Sequence, residues 1–242
     1  MSDPTFLATL ELIFLQLIEL HGLDGKSFMQ LSGKHSASLT DPKARTSSKT
    51  ADQFFDNAIK QIHDPAFALR SAECWHPSNL GALGYAWLSS ATLHEGLDRL
   101  TRYSRILGQN SKWYCTKEAN ELRFVFENHR EDSLVKYTMT DFSMSIVIDM
   151  CRQNVGPGFH PTSVALRRPT PLDSKPYVHF FGCEIQFGAK QDSFTIDQQV
   201  ADNPLPSSNH EIAITFDSIL AEQLALLEKS DVLAQCKAYL LQ

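Results

Sequence analysis

A chain of 242 residues with 43% hydrophobic and 21% charged side chains has the composition of a soluble globular protein with a sizeable core. Its formal charge of −6 excludes strong duplex binding by this chain alone, because DNA affinity comes largely from Lys and Arg neutralising phosphates. The cysteines, Cys74, Cys115, Cys151, Cys183 and Cys236, are odd in number and widely spaced, which argues against a disulfide framework or a zinc finger and for reduced core thiols in a cytosolic protein.

In chain order, Phe6 to Leu20 predicts an amphipathic helix: Phe6, Leu10, Ile13, Phe14, Leu17 and Leu20 recur at helical spacing, and Gly22 is a stop. Glu11, Gln16 and Glu19 interrupt the apolar run and no basic segment precedes it. It therefore reads as a core helix, not as a targeting or membrane-spanning segment. The stretch 22–48 is rich in Lys, Ser, Thr and Gly and is expected to be irregular, with a turn at Thr40-Asp41-Pro42-Lys43. A helix is predicted from Ser48, with Phe54, Phe55, Ala58, Ile59 and Ile62 inward, ending at His63-Asp64-Pro65.

Small residues alternate with large ones over Pro77–Ser90, which suits a helix packed closely on a neighbour. Thr92 and Glu95 form a T-x-x-E capping box opening a helix with Leu93, Leu97, Leu100, Tyr103 and Leu107 inward, and Gly108 closes it. Periodicity then switches to two. Strands are predicted at 112–116 and 122–127, with Leu122, Phe124 and Phe126 on a single buried face. A helix over 134–153, apolar nearly all round, should be deeply buried. A strand at Val164–Arg168, a short helix from Ser174 to Phe181, a second hairpin of strands 183–187 and 193–197, and helices over 209–228 and 231–241 complete the series. The fold class is α+β, with helices packed on an antiparallel sheet built from hairpins.

Tyr177–Ala189 reads Y-x-x-F-F-G-C-x-I-x-F-G-A. Upstream lie Leu80-Gly81-Ala82-Leu83-Gly84-Tyr85, Ser89-Ser90, Thr92-Leu93 and Leu100-Thr101-Arg102-Tyr103. Asn154–Pro161, Arg168-Pro169-Thr170-Pro171 and Pro204-Leu205-Pro206 follow in order. This ordered set resembles the N-terminal sensing domain of one branch of the AraC-type transcription regulators, from about residue 18 to residue 228. Glu184 and Asn203 depart from its pattern, which more often has proline and arginine there. The resemblance implies a sensor and dimerisation domain over residues 1–228 and a linker helix over 229–242. That linker would lead to a helix-turn-helix domain with no counterpart here, so the chain is expected to be a fragment. It further implies a small-molecule effector, a homodimer, DNA contact only through the missing domain, and a cytoplasmic protein without membrane contact.

Ligand contacts are expected from polar and aromatic residues around a cavity: Trp87, Arg102, Tyr103, Tyr137, Arg167 and His179. The stripe Ile212, Phe216, Ile219, Leu220, Leu224 and Leu227 is expected at the dimer interface. His179 and Cys183 have a spacing that could ligate metal or haem, but two ligands fall short of a structural zinc site, and no metal or cofactor is expected. Cys74-Trp75-His76 could set a thiol near an imidazole, but the run is read as non-catalytic. With no G-x-S-x-G elbow and no Gly-rich phosphate loop, the chain reads as a non-enzyme. The alternative reading is a stand-alone small-molecule or haem-binding module.

Overall fold

The computed structural model describes residues 3–31, 39, 41 and 43–240. Two layers organise the chain: helices cover a five-stranded sheet, as the α+β expectation requires. Strand β1 (Thr5–Leu7) precedes helix α1 (Leu10–Leu20), so Phe6 belongs to a strand and not to the expected helix. The reason is local pairing. Phe6 lies opposite Thr46 of β2 (Arg45–Ser47) and bridges to Gly108, while Gln109 hydrogen-bonds Thr5 through both its backbone and its side chain. Between them, α2 (Gly25–Leu31) occupies part of the stretch expected to be irregular. Of the anticipated turn at 40–43, Thr40 and Pro42 lie outside the described residues.

Helix α3 (Ser48–Gln61) starts at Ser47, whose side chain accepts from Lys49 N, and buries Phe54, Phe55 and Ala58 as anticipated. Two short 3-10 segments, Phe67–Glu73 and Pro77–Leu80, lead to α4 (Ala82–Leu88) and α5 (Leu93–Leu107). The Pro77–Ser90 stretch is thus a 3-10 turn and a short helix joined at Gly81. Its close packing is real: a Cβ on Gly84 would fall onto the Pro77 carbonyl, and one on Gly96 would meet the Trp87 ring. Thr92 Oγ1 accepts from Glu95 N at 3.1 Å, but the Glu95 carboxylate reaches Ala91 N at 2.7 Å, closing the cap one residue upstream of a standard capping box.

Strands β3 (Ser111–Glu118) and β4 (Glu121–Asn128) form the first hairpin, followed by α6 (Leu134–Val155). Leu122, Phe124 and Phe126 are buried, and Val125 is buried as well, so β4 is covered on both faces rather than one. Beyond β5 (Ser163–Leu166) and α7 (Lys175–Phe181) come β6 (Ile185–Phe187) and β7 (Asp192–Asp197). The sheet order is β3-β4-β7-β5-β6. The expected hairpin of 183–187 with 193–197 does not form. Strand β6 pairs in parallel with β5, Val164 opposite Ile185, after a crossover through α7, and β7 inserts antiparallel between β4 and β5. Gly188 N and Ala189 N extend the β5 side of that ladder to Arg168 O and Leu166 O.

After the short α8 (Gln198–Asp202), one helix α9 runs unbroken over His210–Leu240, where two helices were expected. Residues 228–231 contain no Gly or Pro, and Glu, Lys, Ser and Asp are tolerated within a helix. At about 1.5 Å per residue, α9 is roughly 46 Å long. Its first half packs on α4 and α5, with Leu220 fully buried and Phe216 stacked on Tyr85 at 5.5 Å.

Candidate functional site

Between α1, α3, α5, α6 and the β3–β4 hairpin lies a cavity of about 100 Å³, open on one side. Its walls are largely aromatic and aliphatic: Phe6, Phe14, Trp113, Phe126, Phe142, Leu100, Leu107, Ile146, Val147 and Met150. Phe14 anchors this wall, with its ring 4.9 Å from Phe142 and 5.0 Å from Phe55. Trp113 meets Phe126 edge-on at 5.3 Å. Such walls favour the apolar body of a guest.

Polar groups enter the cavity mainly where the β3–β4 hairpin meets α6. Ser111 and Asn128 stand opposite each other at the end of the ladder, and His129 N donates to Asn110 O at 2.9 Å. Asn128 Nδ2 donates to Lys136 O in the first turn of α6, while Asn128 Oδ1 accepts from Arg130 N at 3.2 Å and Nη1 at 3.4 Å. Arg130 Nε donates to Asp52 Oδ1 of α3 at 2.7 Å, and its side chain is only 13% exposed. One turn beyond Lys136, Thr140 also lines the cavity, and its buried hydroxyl has no hydrogen-bond partner among the described residues. Arg130 is the single charged residue of the lining, which contains no Asp or Glu.

The six residues expected to contact ligand are not brought together, and none of them lines this cavity. Trp87 is fully buried, with Nε1 donating to Met150 O at 3.1 Å. Arg102 is exposed beside the Tyr103 ring, and Tyr103 is buried against α9, its hydroxyl donating to Asp217 O at 3.3 Å. Tyr137 is half-buried and His179 exposed. Arg167 pairs with Asp132 at 3.0 Å and donates to Lys190 O. Asn128, Arg130 and Thr140, which do line the cavity, gave little signal. Arg130 sits in the polar run Asn128–Ser133, which reads as a solvated turn, and Thr140 in a helix that reads as plain core.

Four of the thiols are buried or half-buried, and Cys236 is exposed. Burial pushes Cys74 up to about 11 and Cys115 up to about 12, and raises Cys151 and Cys183. The His76 ring is engaged with Ser78 through Nδ1. Among the described residues no group of three or more His, Cys, Asp or Glu could hold a metal ion, and no helix is long and apolar enough to cross a membrane.

The stripe expected at a dimer interface is split by α9. Leu220 is buried, Phe216, Leu224 and Leu227 are half-buried, and Ile212 and Ile219 are exposed. Among the described exposed apolar residues of α9, Ile212, Ile219, Leu226 and Leu233 recur every seventh position, while Ile214 and Val232 lie outside that row.

Residues 22–205 match the family described as the arabinose-binding domain of AraC transcription regulator, N-terminal. The ornithine utilization regulator of Pseudomonas aeruginosa is 22% identical over 204 residues, which is 81% of this chain and 58% of that protein. The crystal structure of the transcriptional regulator CdpR from Pseudomonas aeruginosa superposes with a TM-score of 0.63 at 10% identity, covering 87% of this chain and 64% of that one. It shows a shared fold, and in both comparisons this chain spans less than two thirds of the relative's length. The chain therefore belongs to the arabinose-binding-type N-terminal domain family of AraC-type transcription regulators.

Proposed function

We propose that this domain senses a small effector in the cavity beside α5 and α6, and passes its occupancy to α9, acting without catalysis in the cytoplasm. The observation that carries the reading is the cavity itself: a mostly apolar chamber with a minority of polar groups in its lining, as small-molecule sites usually are. Helix α5 links it to α9. Leu100 and Leu107 line the cavity, while Arg99 and Tyr103 on the same helix hold α9 through Asp217. An effector that fits one placement of α5 better than another would shift the balance between them, and a coupling of about 1–3 kcal/mol suffices for a switch. In a longer regulator the readout is the placement of DNA-binding domains joined beyond α9, with residues 229–242 as linker.

Dimerisation is the second part of the proposal. The seven-residue repeat of Ile212, Ile219, Leu226 and Leu233 on the outer face of α9 has the period of a coiled-coil seam. A homodimer through α9 would set the spacing of paired DNA half-sites.

A thermal-shift screen of small metabolites against the wild-type chain and a cavity-filled Ser143→Phe variant tests the sensing role. Ser143 lines the cavity from α6. Compounds that stabilise the wild type and lose their effect in the variant support the reading. Stabilisation that persists in a folded Ser143→Phe protein places the site elsewhere and overturns it.

A further inference from the structure

Resting on the cavity reading above, we propose that the effector is a small carboxylate with a compact apolar body, its head held by Arg130 and Thr140. The body follows from the walls. Phe6, Phe14, Leu100 and Phe142 offer nothing that could satisfy a polar group, so hydroxyls lying against them around a sugar ring would be left unpaired.

The head follows from three observations. First, the guanidinium of Arg130 is always charged, and it is the lining's single charge. With no carboxylate in the lining, an ammonium group has no counter-ion there, which favours a monoanion over an amino acid zwitterion. Second, Arg130 is held but not used up. Nε donates to Asp52 and Nη1 to Asn128 at 3.4 Å, whereas Nη2 donates to none of the described residues. The remaining donor, Nη2, can take one oxygen of a carboxylate in a charge-assisted hydrogen bond. Third, the Thr140 hydroxyl is buried, with the residue 4% exposed, and has no partner. A helical threonine commonly bonds the carbonyl four residues back. Here that carbonyl, Lys136 O, also receives Asn128 Nδ2 at 3.4 Å. A ligand oxygen would give Thr140 an acceptor.

Asp52 competes for the same guanidinium, and this gives the proposal a distinctive signature. The probes are hexanoate and phenylacetate, their neutral amides hexanamide and phenylacetamide, and the zwitterion norleucine. Binding is followed by calorimetry and by the change in tryptophan fluorescence, to which Trp113 in the cavity wall contributes. The carboxylates are expected to bind at least tenfold more tightly than the amides or norleucine. Arg130→Gln should weaken the carboxylates at least tenfold and leave the amides unchanged, and Arg130→Lys, which keeps the charge beside Asp52, should weaken them severalfold. Asp52→Asn should tighten carboxylate binding severalfold, a gain that a merely structural role for the pair would not produce.

Equal binding of hexanoate and hexanamide, equal binding of hexanoate and norleucine, or hexanoate affinity unchanged in Arg130→Gln each overturns the carboxylate assignment. If both acid and amide bind equally and both are lost in Ser143→Phe, the cavity reading stands and only the ligand class falls. Carboxylate binding that survives Ser143→Phe removes the cavity as the site, and both readings fall together. No binding of any probe at millimolar concentration also overturns the class assignment.

Discussion

Arg99 Nε lies 3.1 Å from each carboxylate oxygen of Asp217, joining α5 to α9 across a separation of 118 residues. The same guanidinium donates to Glu95 Oε1 at 2.6 Å and to Ser90 Oγ at 2.8 Å, and its side chain is 6% exposed. Arg99 is thus a hub holding the start of α5, the turn after α4 and the N-terminal third of α9.

Removing that hub should loosen α9 before it unfolds the rest. Breaking a buried ion pair by deleting one partner typically costs about 3–5 kcal/mol, because the other charge is left buried. Asp217 and Glu95 both reach water, at 25% and 37% side-chain exposure, so the lower end applies. Arg99→Met is expected to lose about 3 kcal/mol in chemical denaturation. It should also expose residues 210–240 to limited proteolysis while the remainder resists. Uniform proteolysis, or wild-type stability, would contradict a docking role.

Much of this arrangement was legible in the sequence, and the rest was not for identifiable reasons. The cap at Thr92, the deep burial of α6 and the close packing around Gly84 follow from local chemistry, and they appear where residue type predicts them. The partner of β7 does not. Alternation marks a strand but says nothing of which strand lies beside it, and β5, which precedes α7, lies between β6 and β7. The cavity was hidden for a similar reason. Its walls come from α1, α3, α5, α6 and the first hairpin, and each wall residue alone reads as ordinary core. Arg99 shares α5 with Arg102 and Arg105, and only its position next to the buried stripe marks it as the inward-facing arginine.

The glycines of the α4–α5 region offer a graded test of packing. At Gly84 an added methyl collides with backbone, the Pro77 carbonyl, which cannot swing aside. At Gly96 it meets the Trp87 ring at 2.9 Å, a side chain fixed by its hydrogen bond to Met150 O. Both Ala variants should be destabilised by at least the roughly 1–3 kcal/mol typical of overpacking, with Gly84→Ala the worse. Thermal denaturation of the two variants orders them. Equal melting temperatures would show that the 3-10 turn at Pro77 yields more easily than its geometry suggests.

Stability should depend on pH in an unusual direction. Asp141 is 1% exposed, and its Oδ2 accepts from Tyr177 Oη at 2.7 Å and from Arg168 Nη1. Its Oδ1 has no partner among the described residues. Burial pushes this carboxyl up to about 7 despite the pull of Arg168, and burial raises Asp192 as well. Between the ordinary value of 3.8 and about 7, the native state keeps a proton that the unfolded chain has released. The unfolded state then binds fewer protons, so stability falls as pH rises through that window. Asp24, Asp132, Asp202 and Glu73 are held low by hydrogen bonds from their neighbours, and their contribution is lost only on acidification below the ordinary carboxylate range. Melting temperatures measured from pH 5 to pH 8 should therefore decline, and Asp141→Asn should flatten the decline. A wild-type protein that gains stability over that range would show that Arg168 keeps Asp141 ionised.

Assembly through α9 can be separated from folding, because the two depend on different faces of the helix. Leu220 is fully buried and Phe216 stacks on Tyr85, so substitutions there damage the domain itself. Ile219 and Leu226 lie outside, at 39% and 61% exposure, on the seven-residue stripe. The positions three residues after Ile212, Ile219 and Leu226 are Thr215, Glu222 and Lys229, so the seam is one apolar row and narrower than a full coiled coil. Each row residue fully buried between two copies of α9 would contribute about 1.5–3 kcal/mol. Light scattering should find a concentration-dependent dimer for the wild type. Ile219→Glu combined with Leu226→Glu should give a monomer with an unchanged circular dichroism spectrum, because like charges then face each other across the seam. A wild-type chain that stays monomeric at high micromolar concentration would sink the proposal that α9 assembles this domain, whatever the cavity binds.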